Sequence, residues 1–314
     1  MTMMTNDSIG IDISKDFLDA HRLSNGASAR FPMTTAGFCS LSKWLGEEVL
    51  ARVVFEATGP YHKNFERTFS GKFPLVKVNP LQARRFAQAC GTRVKTDAVD
   101  ARMLANFGNA LRLEPDQPLD DKQHELKELF SSRGALIKDR TRLINRLQTQ
   151  TLALVKRQTK ARIDQITRQL KALQQDINAK VQGCPSRARA NTILRSIPGI
   201  GEVAAATILI EMPEIGTLHK KGAASLTGLA PMTRQSGKWR GKATIQGGRK
   251  QLRNALYMPA LVAARHNPDM CSKYKAMIEQ GKPQKVALTA IMRKLIELAN
   301  ALVKADREWV QNGT

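Results

Sequence analysis

Between Ser8 and Ser14 the chain alternates apolar and polar residues, with Ile9, Ile11 and Ile13 on one face, which predicts a strand. Phe17–Leu23 and Ala27–Pro32 predict two more strands, joined at the Ser24-Asn25-Gly26 turn. Ala36–Leu45 is spaced as a helix, and Ala51–Glu56 is a β-rich run closed by Ala57-Thr58-Gly59-Pro60. A helix follows it, and Leu75–Val78 then predicts a short strand stopped by Asn79-Pro80. Helical patterns run from about Leu81 to Cys90 and from Asp97 to Leu111. Three strands followed by alternating helix and strand predict an α/β sheet with an antiparallel edge.

The pattern changes after Pro115 and Pro118. From Asp121 to about Val181 the chain is polar and free of proline, and Gly134 is its one helix breaker. Leu143, Leu147, Leu154, Ile163, Ile166, Leu170, Leu173 and Ile177 recur at helical steps, which predicts two long amphipathic helices forming a coiled-coil arm. Such an arm either pairs two protomers or packs internally. Gly183-Cys184-Pro185 ends it. The rest is predicted to be helical, interrupted by glycine-rich loops at Gly222–Pro231 and Gly237–Gly248. Three segments result: an α/β domain over 1–116, an arm over 117–184 and a helical domain over 185–314.

Charge narrows the function. The chain carries 50 Lys and Arg against 27 Asp and Glu, a net charge of +23. Residues 1–116 hold 15 basic and 12 acidic side chains, so nearly all the excess lies beyond them. Between Glu214 and Asp269 there are ten basic residues and no acidic one. A run that long and one-signed points to a polyanion, since neutralising phosphates releases condensed counterions. Aromatics make up only 5%, which argues against base-stacking platforms. Cys39, Cys90, Cys184 and Cys271 stand far apart, which excludes a CxxC zinc site and suits a reducing cytoplasm. Neither a signal peptide nor an 18-residue apolar span is visible, so no membrane partner is expected.

Two groups of residues carry chemistry. Asp12 lies near the end of the first strand, opposite in direction to the three isoleucines, and Glu56 ends another strand just before a turn. Asp97 and Asp100 are three apart at a helix start, on one face and near the favourable end of its dipole. Asp16 and Asp19 compete with Asp12 but lie further along. If these elements converge, four carboxylates repel one another unless hard cations such as Mg²⁺ or Mn²⁺ fill the gap. Taken singly, Asp97 reads equally as a helix cap and Glu56 as a surface strand end.

The second group is the glycine-flanked loop from Thr233 to Lys242, which holds Ser236 among Arg234, Lys238, Arg240 and Lys242. Here a serine attacks a phosphodiester, or the loop simply grips phosphate. No histidine stands nearby in sequence to activate it. Arg249, Lys250 and Arg253 continue the basic run and are expected to contact nucleic acid. Upstream, Ser196-Ile197-Pro198-Gly199-Ile200-Gly201 opens an alanine-rich helix and looks like a helix-hairpin-helix turn, with Gly199 and Gly201 offering backbone N–H groups to phosphate.

The stretches GIDISKD, FEATGPY, VNPLQARRFAQA and KTDAVDARMLA, then SIPGIGEVAAATIL, LTGLAPMTRQSGKWRG and LRNALYMPALVA, run nearly end to end. In that order they resemble the DEDD transposases of bacterial insertion sequences, the insertion-sequence one-ten family, to which pilin-gene invertases are related. The resemblance implies a RuvC-like, RNase H-type first domain with Asp12, Glu56, Asp97 and Asp100 as a magnesium-binding tetrad. It implies that Ser236 is the nucleophile of a 5′-phosphoserine link to DNA. It further implies double-stranded DNA as substrate, a structured guide RNA, and a homodimer assembling to a tetramer in the cytoplasm. The loop after Ser236 is shorter than in some relatives, which bears on target choice rather than chemistry. Two rivals remain: a RuvC-like junction nuclease with water as nucleophile, and a nucleic-acid-binding protein without activity.

Overall fold

The computed structural model describes residues 7–46, 50–57, 59, 61–91, 97–116, 118, 121–233, 235–237, 239–241 and 243–311, with the backbone alone at Asp97, Ala98 and Trp239. The chain divides into two compact units, Met1–His124 and Glu125–Thr314. The segment expected as a separate arm therefore lies, from Glu125 onward, in the same unit as the C-terminal helices.

In the first unit, β1 (Ser8–Ile13), β2 (Phe17–Arg22) and β3 (Ser28–Pro32) form an antiparallel meander, followed by α1 (Thr35–Leu45). Gly26, at φ 71°, turns the chain between β2 and β3, where few residues but glycine or asparagine settle. Next come β4 (Arg52–Glu56), α2 (His62–Phe69), β5 (Leu75–Val78), α3 (Pro80–Ala89) and α4 (Asp97–Ala110). β4 lies parallel to β1, and β5 parallel to β4, giving the order β3-β2-β1-β4-β5. The expected mixed sheet is present.

Strand alternation sorts the two sheet faces. Ile9, Ile11, Ile13, Leu18, Val53 and Phe55 pack with Leu41 and Leu45 of α1 and with Phe65 and Phe69 of α2. On the other face Val54, Val76 and Val78 meet Leu104 and Phe107 of α4. Gly10 lets α4 approach closely: a Cβ there would sit 2.5 Å from the Ala105 amide nitrogen and closer still to the Ala101 carbonyl oxygen. The Ser8 hydroxyl fixes the same approach by donating to the Ala105 carbonyl at 3.1 Å.

The second unit begins within α5 (Asp121–Thr149), which continues through Gly134 and is followed by α6 (Ala153–Gln182), α7 (Pro185–Ser196) and α8 (Glu202–Glu211). Every residue from Ala204 to Ile210 is buried, so α8 is a core helix, apolar all round. Then follow α9 (Lys220–Leu226), β6 (Pro231–Met232), β7 (Gln235–Ser236), β8 (Trp239–Arg240) and β9 (Thr244–Ile245). The chain finishes with α10 (Lys250–Ala255), α11 (Tyr257–His266), α12 (Pro268–Glu279) and α13 (Gln284–Lys304). A stripe on α13, including Ile291, Leu295, Ala299 and Leu302, closes the core around α8. Buried Asn300 ties it to the loop after α8, accepting from the Gly216 N–H at 2.9 Å and donating to the Leu218 carbonyl at 2.8 Å.

The two glycine-rich loops differ from expectation. Gly222 lies inside α9, whose first turn is capped by the His219 ring nitrogen accepting from the Gly222 N–H at 2.6 Å. The second loop is a two-rung hairpin. β6 pairs with β9, and β7 pairs with β8, both antiparallel. Gly237, next after β7, has φ 55°, in the left-handed region that favours glycine.

Candidate functional site

The carboxylates of the first unit are positioned by strand register. Ile11 of β1 lies beside Phe55 of β4, so the next residues, Asp12 (last but one in β1) and Glu56 (last in β4), lie at the C-terminal ends of neighbouring parallel strands, at one sheet edge. Alternation puts Asp12 with Ser8 and Gly10, and Glu56 with Val54, on the face covered by α4. α4 packs Ala101 over Gly10 and Ala105 nearer Ser8, so its first turn, bearing Asp97 and Asp100, lies toward the Asp12 end. The Asp97 side chain is outside the described residues. Among those described, no three acidic, histidine or cysteine side chains gather closely enough to hold a metal ion.

Asp19 lies directly across from Asp12 in the β1–β2 register. It is a carboxylate already committed elsewhere: Arg30 of β3 donates through Nε and Nη2 to its two oxygens at 2.9 and 3.0 Å. Asp16 sits in the β1–β2 turn, where its carbonyl accepts from Met33. Strand spacing did not reveal this partner of Asp19. On the same sheet face, His21 hydrogen-bonds Ser28 at 2.8 Å, and burial followed by the charge of Arg102 holds its pKa below the ordinary imidazole value.

Ser236 is exposed at the end of the hairpin, across from Trp239 and next to the Gly237 turn. Arg240 stands across from Gln235 on the inner rung and is exposed. Arg234, Lys238 and Lys242 lie outside the described residues. Gly228, Gly247 and Gly248 meet at the hairpin's base with no room for a Cβ at Gly228 or Gly248, all three at positive φ.

Two arginines of the basic run, Arg249 and Arg253, grip this base. Arg249 donates to both Glu214 oxygens at 2.7 and 2.6 Å and to the Glu211 carbonyl at 2.6 Å, while its own N–H donates to the Leu226 carbonyl. Arg253 donates to the Gly247 carbonyl at 2.6 Å. Burial alone would push the Glu214 carboxyl up, but the hydrogen bonds and charge of Arg249 outweigh it and hold the group below the ordinary carboxylate range. Nearby Glu211 is pushed up by burial, against the opposing charges of Lys127 and Arg249. Lys250 is exposed at the start of α10. The signal that could have exposed the clasp was Glu214 itself, the last acid before the acid-free run.

In the turn between α7 and α8 the two glycines differ. Gly199, at φ 105°, lies against α11, where a Cβ would come 2.6 Å from the Pro259 carbonyl oxygen. Gly201 is exposed, opens α8 and has free space around its Cα. Of the pair, only Gly201 faces outward. Among the described residues no helix is long and apolar enough to cross a membrane.

Comparison with known proteins matches the chain in two spans. A family model of DEDD type for IS110, described as "Transposase", matches residues 9–156, and a second, "Transposase IS116/IS110/IS902 family", matches residues 191–275. The first span contains all four carboxylates, and the second contains the Ser236 hairpin with its clasp. Pilin gene-inverting proteins of Moraxella bovis and Moraxella lacunata are each 30% identical over 321 residues, 98% of this chain and 98% of theirs. An insertion element IS110 uncharacterized 43.6 kDa protein of Streptomyces coelicolor is 30% identical over 159 residues, 50% of this chain and 38% of its own.

Proposed function

The chain belongs to the IS110 family of transposases, and on that premise we propose that it cuts and rejoins DNA through a covalent link to Ser236, assisted by a carboxylate-held divalent metal. It is a DNA transposase or recombinase, an enzyme acting on DNA. In the proposed reaction the Ser236 Oγ attacks the scissile phosphorus, the P–O3′ bond breaks, and the departing 3′ oxygen takes up a proton as the serine loses its own. DNA then remains joined to the protein as a 5′-phosphoserine. A 3′-hydroxyl from another strand reverses the step, forming a new P–O3′ bond and returning the proton to serine. The bond energy is conserved throughout, so no nucleotide cofactor is required.

The observation that carries this reading is the register that brings Asp12 beside Glu56 at the edge toward which the first turn of α4 lies. All the oxygens of that set are hard donors, suited to Mg²⁺ or Mn²⁺. We assign Asp12, Glu56, Asp97 and Asp100 to hold the metal, within a RuvC-like domain. A metal bound there supplies charge neutralisation at the reacting phosphate. Exposure of Ser236 beside a glycine turn supports its role, because backbone can approach a phosphate closely there. Arg240, Lys250 and the N–H groups at Gly201 are proposed to contact the DNA backbone, together with Arg234, Lys238 and Lys242. The coiled-coil arm is proposed to pair protomers toward a tetramer, and a structured guide RNA to select the DNA in the cytoplasm.

The test is a denaturing gel of the protein with labelled element-end DNA and Mg²⁺. Wild type is expected to leave label attached to protein. Ser236→Ala is expected to abolish the adduct while still binding DNA, and Asp12→Asn to abolish it together with every nick. Nicked product with free ends at wild-type level in Ser236→Ala would identify water as the nucleophile and overturn the serine role.

A further inference from the structure

A second concentration of positive charge lies outside both candidate sites, on the outer part of the α5–α6 pair. Residues 138–171 contain ten basic side chains and two acidic ones, Asp139 and Asp164. There α5 and α6 lie side by side, and a groove of about 440 Å³ runs between them. Leu143 and Ile166 form its half-buried floor, while Arg142 and Arg146 of α5 and Arg162 of α6 line it exposed to solvent. Asp139, at 3.3 Å from Arg142, is the acid lining this groove. Three guanidiniums around one carboxylate is an arrangement that repels itself, since like charges one turn apart on a helix are unfavourable. Nearer the base, burial and then the charge of Arg140 pull Arg133 below the ordinary guanidinium range, so the excess extends along α5.

We infer that this groove is a docking surface for the backbone of double-stranded DNA, separate from the Ser236 hairpin and from the carboxylate edge. Lys138, Arg142 and Arg146 follow one another at four-residue steps, about 6 Å apart along the helix axis. That is close to the axial spacing of alternate phosphates on one strand, roughly 6.8 Å. Guanidiniums bind phosphate oxygens through paired hydrogen bonds, and Gln165 and Gln169 add neutral donors along the same groove. From Glu125 to Gln182 the sequence contains one aromatic residue, Phe130, so splayed single-stranded bases would find nothing to stack on. Duplex DNA is chosen over duplex RNA because DNA is the substrate on which this enzyme acts. Contacts of this kind carry no sequence information; they hold DNA flanking the reacting phosphates in register.

The test uses the full-length protein without Mg²⁺, so no cleavage intervenes and the result does not depend on the serine or the carboxylates. Binding to duplex DNA carrying an element end is titrated at 50 and 200 mM salt. In the triple variant Arg142→Gln, Arg146→Gln, Arg162→Gln, the slope of log affinity against log salt is expected to flatten by about 2.7, about 0.9 for each phosphate no longer neutralised. The fall in affinity between those two salt concentrations then shrinks by a factor of about 40. A control triple, Lys273→Gln, Lys275→Gln, Lys282→Gln, removes equal charge from exposed positions elsewhere and is expected to change the slope by less than about 1. Equal slopes in the two triples would overturn the inference. So would an effect confined to duplex RNA, or a change in oligomeric state with DNA binding intact, which would make the groove a contact between copies. Should the groove triple melt early, Arg162→Gln alone must still flatten the slope by about 0.9.

Discussion

Substituting Gly10→Ala tests whether α4 is seated against β1 as closely as the carboxylate assignment requires. The added Cβ would stand 2.5 Å from the Ala105 nitrogen, where ordinary van der Waals contact begins at 3.4 Å, and nearer still to the Ala101 carbonyl oxygen. Backbone of a helix cannot rotate aside as a side chain can, so α4 must retreat by about 1 Å or more. Overpacking of this kind costs about 1–3 kcal/mol. The same retreat carries Asp97 and Asp100 away from Asp12, and a misplacement of about 1 Å is enough to slow chemistry roughly 100-fold. Urea unfolding measures the first effect, and single-turnover adduct formation the second; hydrogen exchange at the α4 amides localises both. Gly134→Ala is the contrast, because nothing lies within 4 Å of a Cβ there, in mid-helix. That same chemical change is expected to stabilise by about 0.5–1 kcal/mol and leave the rate alone. Wild-type stability and rate in Gly10→Ala would show that α4 does not pack on β1, and the convergence of the four acids would go with it.

Two further outcomes follow from the second unit. Glu214→Gln weakens the clasp beneath the Ser236 hairpin and is expected to cost about 1 kcal/mol, a figure reduced for partial exposure of the pair, and to slow adduct formation. Because Arg249 holds the Glu214 pKa below its unfolded value, that stability is present above the unfolded pKa, about 4.3, and is lost as pH falls through the folded one. The variant should therefore show a shallower acid limb in urea midpoint against pH, and identical limbs would refute the clasp. Asn300→Ala removes both hydrogen bonds from α13 to the loop after α8. It is expected to cost about 2 kcal/mol or more, since two backbone groups lose their partners in a buried setting, and an unchanged urea midpoint would contradict it.

Much of the first unit was legible because its cues are local. Alternation in Ser8–Ile13, the Asn25-Gly26 turn and the stop at Asn79-Pro80 each fix their element through a few neighbouring residues, and the observed strands fall within a residue or two of expectation. The same periodicity chose the side chains of each face, so Asp12 could be set apart from the three isoleucines before any fold was known. The glycine-rich stretch around Ser236 was harder. Its two-residue ladders are too short to show a period, so its spacing predicts a plain loop where the chain forms a hairpin.

What the sequence by itself determined was the kind of each element, the strong positive charge and the inventory of reactive groups, because these depend on residue type and short-range order. Tertiary structure alone decided which charges are spoken for. Arg30 neutralises Asp19 eleven positions away, and Arg249 pairs with Glu214 thirty-five positions away. By contrast, the arginines between α5 and α6 crowd around a single carboxylate. Electrostatic pairing acts through distances of a few ångströms in space, and no spacing along a chain encodes it until strands and helices have been laid side by side.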